Sequence, residues 1–224
     1  MGAAAFYHAA MAVLFDCDGV LVDSERLVCR VEAELLTRWG WPLTPSEVRA
    51  QFQGRSFSSI ATSIQHRLAG SLPDDWMYLW AMETAELFRA ELREVAGVRA
   101  VLEQLVAQGR PIGVASQSPL PRVRISLGVC DLGRYFGTRV FSSSLVARPK
   151  PAPDLYLYAA AQLGEAPERC LVVEDSVSGV RAAVSAGMRV FGYAADADAS
   201  ALSAAGARPF YDMAELPELI QTPG

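Results

Sequence analysis

The sequence predicts an α/β fold in which a parallel sheet is covered by helices on both faces, with one all-helical segment inserted after the first strand. Three observations carry this. Short, continuous apolar runs recur along the chain, as strands buried on both faces require. From residue 95 onward they alternate with segments of helical period, the pattern of a parallel sheet. Residues 25–94 contain no convincing strand.

The first run, Ala12–Phe15, leads into Asp16 and Asp18, with Gly19 free to turn the chain. In extended backbone, residues two apart point the same way, so both carboxylates can face one small volume at the strand's end. Two carboxylates so close to a buried strand are costly unless they share a cation or a proton. A metal-assisted or covalent carboxylate site has this arrangement; a solvated acidic turn is the plainer alternative. Glu25–Trp39 is helical by its spacing of Leu27, Val28, Val31, Leu35, Leu36 and Trp39. Gly40–Pro42 ends it, and Thr44-Pro45-Ser46-Glu47 is a capping box with proline at the first helical position. Gly54 marks a break before helices at Ser58–Leu68 and Asp74–Glu94.

Val98–Gln108 is amphipathic and closes at Gly109. Pro111–Ala115 is a strand ending at Ser116, and Leu120–Leu127 a helix stopped by Gly128. Arg139–Ser142 is a third strand. Pro153–Leu163 is a helix with proline at its start and Gly164 at its end. Cys170–Val173 is a strand ending in Glu174 and Asp175, Val177–Ala186 a helix closed by Gly187, and Met188–Gly192 a fifth strand. Ala194–Ala207 reads as a loosely specified last helix, and residues 1–11 as a short N-terminal extension.

Bulk properties exclude several classes. At 224 residues the chain can build one sizeable core, or a core with a smaller appended domain. A net charge of −5 offers no field for nucleic acid or anionic membranes. No apolar run has the length of a membrane span, and the apolar start lacks a basic leader. The four cysteines lack metal-binding spacing and read as reduced packing residues of a cytoplasmic protein, expected to be a monomer or weak homodimer. Two histidines leave no room for a histidine-rich metal site and argue against a Ser-His-Asp triad.

One compositional detail has chemical weight. Of 20 basic residues, 19 are arginine, and the single lysine is Lys150, held between Pro149 and Pro151. A lone lysine suits a place where a compact ammonium fits and a planar guanidinium does not. Three strand ends thus deliver Asp16 and Asp18, Ser116, and Glu174 and Asp175 to one edge of the sheet, and the proline-flanked loop adds Lys150. In open α/β sheets that edge binds ligands. Singly, Ser116 and Asp175 could be helix caps and Lys150 a solvated loop cation.

Asp16-Cys17-Asp18-Gly19-Val20-Leu21-Val22-Asp23-Ser24-Glu25 resembles the first motif of the haloacid dehalogenase-like superfamily, the aspartate-nucleophile phosphatases and phosphomutases. Val114–Gln117 is similar to its second motif, Lys150-Pro151 to its third and Val172–Ser176 to its fourth. The resemblance runs from about Ala12 to Glu218. It implies a Rossmann-like core of residues 12–24 and 95–224 in strand order 5-4-1-2-3, a helical cap of residues 25–94, and a Mg²⁺ requirement. By the same resemblance Asp16 is the nucleophile, and Asp18 the general acid and base, entering the cycle protonated. Asp16, the Asp18 carbonyl and Asp175 hold the metal, helped by Glu174. Ser116, Gln117 and Gly19 belong to the phosphate site, and Lys150 balances charge.

Within that family Asp18 argues against dehalogenases, and the absence of lysine from residues 25–94 argues against phosphonate hydrolases. Val28 stands where β-phosphoglucomutase-like members carry histidine. The expected activity is hydrolysis of a small phosphorylated metabolite, a sugar phosphate or phosphorylated sugar acid, with the nearest likeness to sugar-phosphate and 6-phosphogluconate phosphatases. Arg55 is the candidate for an anionic substrate group, or for a second phosphate if the protein is a phosphomutase. A non-catalytic phosphometabolite-binding protein is the alternative of another class.

Overall fold

The computed structural model describes residues 11–221 except Gly54; the N-terminal extension up to residue 10 and the expected break at Gly54 lie outside them. The elements, in order, are β1 (Ala12–Phe15), α1 (Glu25–Arg38), α2 (Pro45–Phe52), α3 (Phe57–Arg67), α4 (Trp76–Glu91), α5 (Val98–Ala107), β2 (Ile112–Ser116), α6 (Leu120–Val129), α7 (Gly133–Phe136), β3 (Val140–Ser142), α8 (Asp154–Leu163), β4 (Cys170–Glu174), α9 (Val177–Ser185), β5 (Arg189–Tyr193), α10 (Ala199–Ala204), β6 (Arg208–Phe210) and α11 (Leu216–Gln221).

The strands form one parallel sheet in the order β3-β2-β1-β4-β5-β6. This is the expected order with a sixth strand added at the edge. β1 lies at the centre, with Phe15 opposite Val114 of β2 and Val173 of β4. Successive side chains of β1 alternate between two cores. Val13 and Phe15 pack with Leu102 of α5, Val123 of α6 and Leu216 of α11. Ala12 and Leu14 face Leu155 of α8 and Val180 of α9. Burial on both faces explains why β1, β2 and β4 read as unbroken apolar runs.

Helices α1–α4 are inserted between β1 and α5 and carry a third core. Trp76 lies between Trp39 and Trp80, each 6.0 Å away between ring centroids, and Phe57 tilts onto Trp80. The capping box at Thr44 and Glu47 is formed. The chain enters and leaves the insert along paired segments: Asp23 N–H donates to the Arg93 carbonyl, and Val95 N–H to that of Leu21. Leu27 and Phe88 join the core beneath, so the insert is rooted in the sheet domain.

Several boundaries differ from expectation; the last helix of the insert, for one, stops at Glu91 rather than Glu94. α6 runs through Gly128 to Val129, where a side chain would meet open space, and Asp131 takes the left-handed turn at φ 51°. The Ala-rich segment is helical only over Ala199–Ala204 before the chain turns into β6.

Candidate active site

The sheet places its polar strand ends around one cavity of about 160 Å³, walled on the other side by α1, α2 and α3. Asp16 follows β1 directly, and its N–H still bonds the Val173 carbonyl of β4, so it keeps strand geometry one residue past the strand. Lys150 Nζ reaches it, 2.6 Å from Asp16 Oδ1 and 2.5 Å from Glu174 Oε1. All three side chains are buried. The ammonium also lies 4.8 Å from the ring centroid of Tyr156, whose hydroxyl donates to Glu174 Oε1 at 2.9 Å.

Glu174 is held from its other side by α9. Its Oε2 accepts from the N–H groups of Asp175 and Ser176 and from Ser176 Oγ, at 2.9–3.1 Å. Gly179 admits this carboxylate, since a Cβ there would overlap it. Both Glu174 oxygens are thus filled by protein donors. Its visible work is to hold Lys150 and the start of α9.

Oxygens of Asp16, Glu174 and Asp175 lie within 4.8 Å of one another, a group fit to hold a metal ion. Hard carboxylate oxygens in this number suit a small divalent cation. Burial, then the charge of Glu174 and Asp16, raises Asp175 well above the usual carboxylate range. Asp16 is pushed up to about 7 by burial, with Lys150 pulling down and Glu174 and Asp18 pushing up. Lys150 keeps its proton: burial opposes its charge, but Asp16 and Glu174 outweigh it and raise its pKa well above normal.

Asp18 occupies a different environment. Ser24 Oγ donates to its Oδ1 at 2.5 Å, Ser118 Oγ to its Oδ2 at 2.6 Å, and Arg122 Nη2 lies 3.4 Å from Oδ1. Burial works upward, but Arg122, Ser118 and Ser24 together hold the carboxyl below the usual range. The expectation that Asp18 stands ready protonated therefore differs from this arrangement, in which three donors favour its anion.

Of the other expected site residues, Ser116 lines the cavity, accepting from Ser118 N–H and keeping its own hydroxyl proton for a ligand. Gln117 also lines it, but its amide donates toward the Lys150 carbonyl. Gly19 contributes space and no donor: its N–H bonds the Val22 carbonyl, and its missing Cβ makes room for the Asp175 carboxylate. Arg55 reaches the cavity wall while its guanidinium bonds Ser59 and Ser63.

The sequence reading missed Ser24, Ser118, Arg122, Tyr156 and Glu32. Arg122 projects from α6 over the Phe88 ring and joins Asp18 to the insert. Glu32 had a readable signal, an acid set within the apolar stripe of α1.

No helix among the described residues is long and apolar enough to cross a membrane, and all four cysteines are free. Residues 10–187 match the family model of haloacid dehalogenase-like hydrolases. The chain is 33% identical over 215 residues to 6-phosphogluconate phosphatase of Escherichia coli, covering 95% of this chain and 96% of that one. It is 34% identical over 197 residues to hexitol phosphatase A of the same organism, covering 85% and 86%. A solved hydrolase of this family from Deinococcus radiodurans, with bound phosphate and sodium, superposes with a TM-score of 0.75 at 33% identity, covering 94% and 95%. With its acidic cluster at the strand ends and these relatives along almost its whole length, the chain belongs to the haloacid dehalogenase-like hydrolases, as an enzyme acting on a phosphorylated substrate.

Proposed function

We propose that the protein is a Mg²⁺-dependent phosphomonoesterase of small phosphorylated metabolites, working through an aspartyl-phosphate on Asp16. The observation that carries this is the pairing of two carboxylates, two residues apart, in opposite surroundings: Asp16 against Lys150 and the acidic cluster, Asp18 against Ser24, Ser118 and Arg122. Asp16 sits beside the ammonium and the acidic cluster that suit a charge-neutralised nucleophile, and Asp18 lies outside that cluster among hydroxyl donors, placed to exchange a proton.

Asp16 attacks phosphorus and the alcohol leaves, splitting one displacement into two easier ones. Asp18 gives the leaving oxygen its proton and then takes one from water. A phosphate dianion arriving beside Asp18 adds the negative charge that raises its pKa and favours the acid form. Lys150 offsets the charge of Asp16, and Ser116 donates its hydroxyl to a phosphate oxygen. Asp16 and Asp175, with the Asp18 carbonyl, would hold Mg²⁺, which neutralises phosphate charge that otherwise repels a carboxylate. Glu174 acts one step back, by fixing Lys150. Residues 25–94 form the cap over a core of 12–24 and 95–224, and cap closure excludes water from the cavity.

A phosphomutase needs a second phosphate site in the cap, and Arg55, the residue suited to it, is already bonded to Ser59 and Ser63. Release of p-nitrophenol from p-nitrophenyl phosphate is expected to need Mg²⁺, to stop with EDTA, and to vanish in Asp16→Asn. Undiminished turnover in that variant would overturn the reading.

A further inference from the structure

Resting on that phosphatase reading, the cavity wall opposite the nucleophile narrows the substrate. Three arginines line the cavity, and each has a protein partner, although Arg122 leaves its Nε unpaired among the described residues. Arg49 pairs with Glu25 at 3.2 Å, Arg55 donates to Ser59 and Ser63, and Arg122 to Asp18. Glu25 in turn also accepts from Gln53. Glu32, on α1, differs from all of them. Only 5% of it is exposed, it lines the cavity, and no described residue hydrogen-bonds its carboxyl. Among the described residues Arg122 is the one cation close enough to bear on its charge, and burial outweighs it.

The Glu32 oxygens open onto the cavity with no donor among the described residues, and a carboxyl so largely shielded from bulk water is held there at a cost. The cost disappears when a ligand supplies hydroxyl donors. A substrate carboxylate in the same place would face a like charge; the unpartnered Arg122 Nε does not remove that repulsion, since the same guanidinium is tied through Nη2 to Asp18. An unsubstituted hydrocarbon would leave Glu32 unpaired.

We propose that Glu32 is the specificity-determining residue for the organic part of the substrate. It accepts hydrogen bonds from hydroxyls of an uncharged polyhydroxylated carrier, a sugar or sugar-alcohol phosphate, and disfavours phosphorylated sugar acids.

The test compares kcat/KM for sorbitol 6-phosphate, 6-phosphogluconate and p-nitrophenyl phosphate in wild-type protein, Glu32→Gln and Glu32→Leu, all with Mg²⁺. Wild type should favour sorbitol 6-phosphate over 6-phosphogluconate. The ratio of kcat/KM for sorbitol 6-phosphate to that for p-nitrophenyl phosphate should fall about 10–100-fold in Glu32→Leu, the size of a lost charge-assisted hydrogen bond. Glu32→Gln keeps an acceptor and should retain more of the ratio. Ratios within twofold of wild type in both variants, or a wild-type preference for 6-phosphogluconate, would overturn the proposal. Complete inactivity of wild type on all three would sink the phosphatase reading instead. In that event calorimetric binding of sorbitol 6-phosphate still decides on Glu32: weakening about 10-fold in Glu32→Leu supports its role, and unchanged affinity rejects it.

Discussion

Lys150 carries more of the site than any other single residue. Its Nζ lies 2.6 Å from Asp16 and 2.5 Å from Glu174, in a space closed by Tyr156. A guanidinium is flat, wide and less able to centre one charge between two carboxylates, so Lys150→Arg is not conservative here. Lys150→Met leaves two buried acids facing each other without a cation, a change that typically costs about 3–5 kcal/mol if the charges remain. Both variants should lower kcat on p-nitrophenyl phosphate at least about 100-fold at saturating Mg²⁺, and Lys150→Met should also lower the urea midpoint. Near-normal kcat in Lys150→Arg would refute the need for a compact ammonium. That requirement was legible in composition alone, because every other basic residue is arginine. Ser24, Ser118 and Arg122 were not. Each sits in a stretch already explained as a turn or helix, and nothing local reveals that three separate segments converge on Asp18.

At the scale of elements, the junction of β4 and α9 fixes the acidic end of the site. Glu174 closes β4, turns its carboxylate onto the first N–H groups of α9, and is favoured there by the helix dipole. Close approach requires Gly179, whose added Cβ would enter the Glu174 carboxylate. Five protein donors hold that side chain, so it cannot step aside cheaply. Gly179→Ala should therefore lower the melting temperature and reduce kcat together, by displacing Glu174 and with it Lys150. A variant with wild-type melting and kcat would show that α9 can shift without cost. Strands buried on both faces were easy to read, since their apolar runs are unbroken and end in turn residues. β6 was not: it is three residues long, contains Pro209, and gains strand character only by lying beside β5 at the sheet edge. Likewise α11 is six residues, too short for periodicity to show, and is held by Leu216 and Ile220 in the core.

Across the whole molecule, stability and function pull against each other in the cavity between insert and sheet. Glu32 shows this most cleanly, because it stands apart from the acidic cluster. Burial pushes its carboxyl from 4.5 up to about 7, against a smaller downward pull from Arg122. Between those pH values the folded protein keeps a proton that the unfolded chain has lost, so stability falls as pH rises through this range and levels off above about 7. A rise of this size corresponds to about 3 kcal/mol. Glu32→Gln removes the titration while keeping size and polarity. The variant and wild type should melt alike near pH 4, diverge between pH 5 and 7, and differ most above pH 7, with Glu32→Gln the more stable. Thermal melts in EDTA across that range measure the difference directly. A constant gap, or a wild type that gains on the variant as pH rises, would mean that the folded protein supplies Glu32 with a donor. A saturating sugar-alcohol phosphate should narrow the gap above pH 7, since the hydroxyls that satisfy Glu32 also relieve the cost of burying its charge.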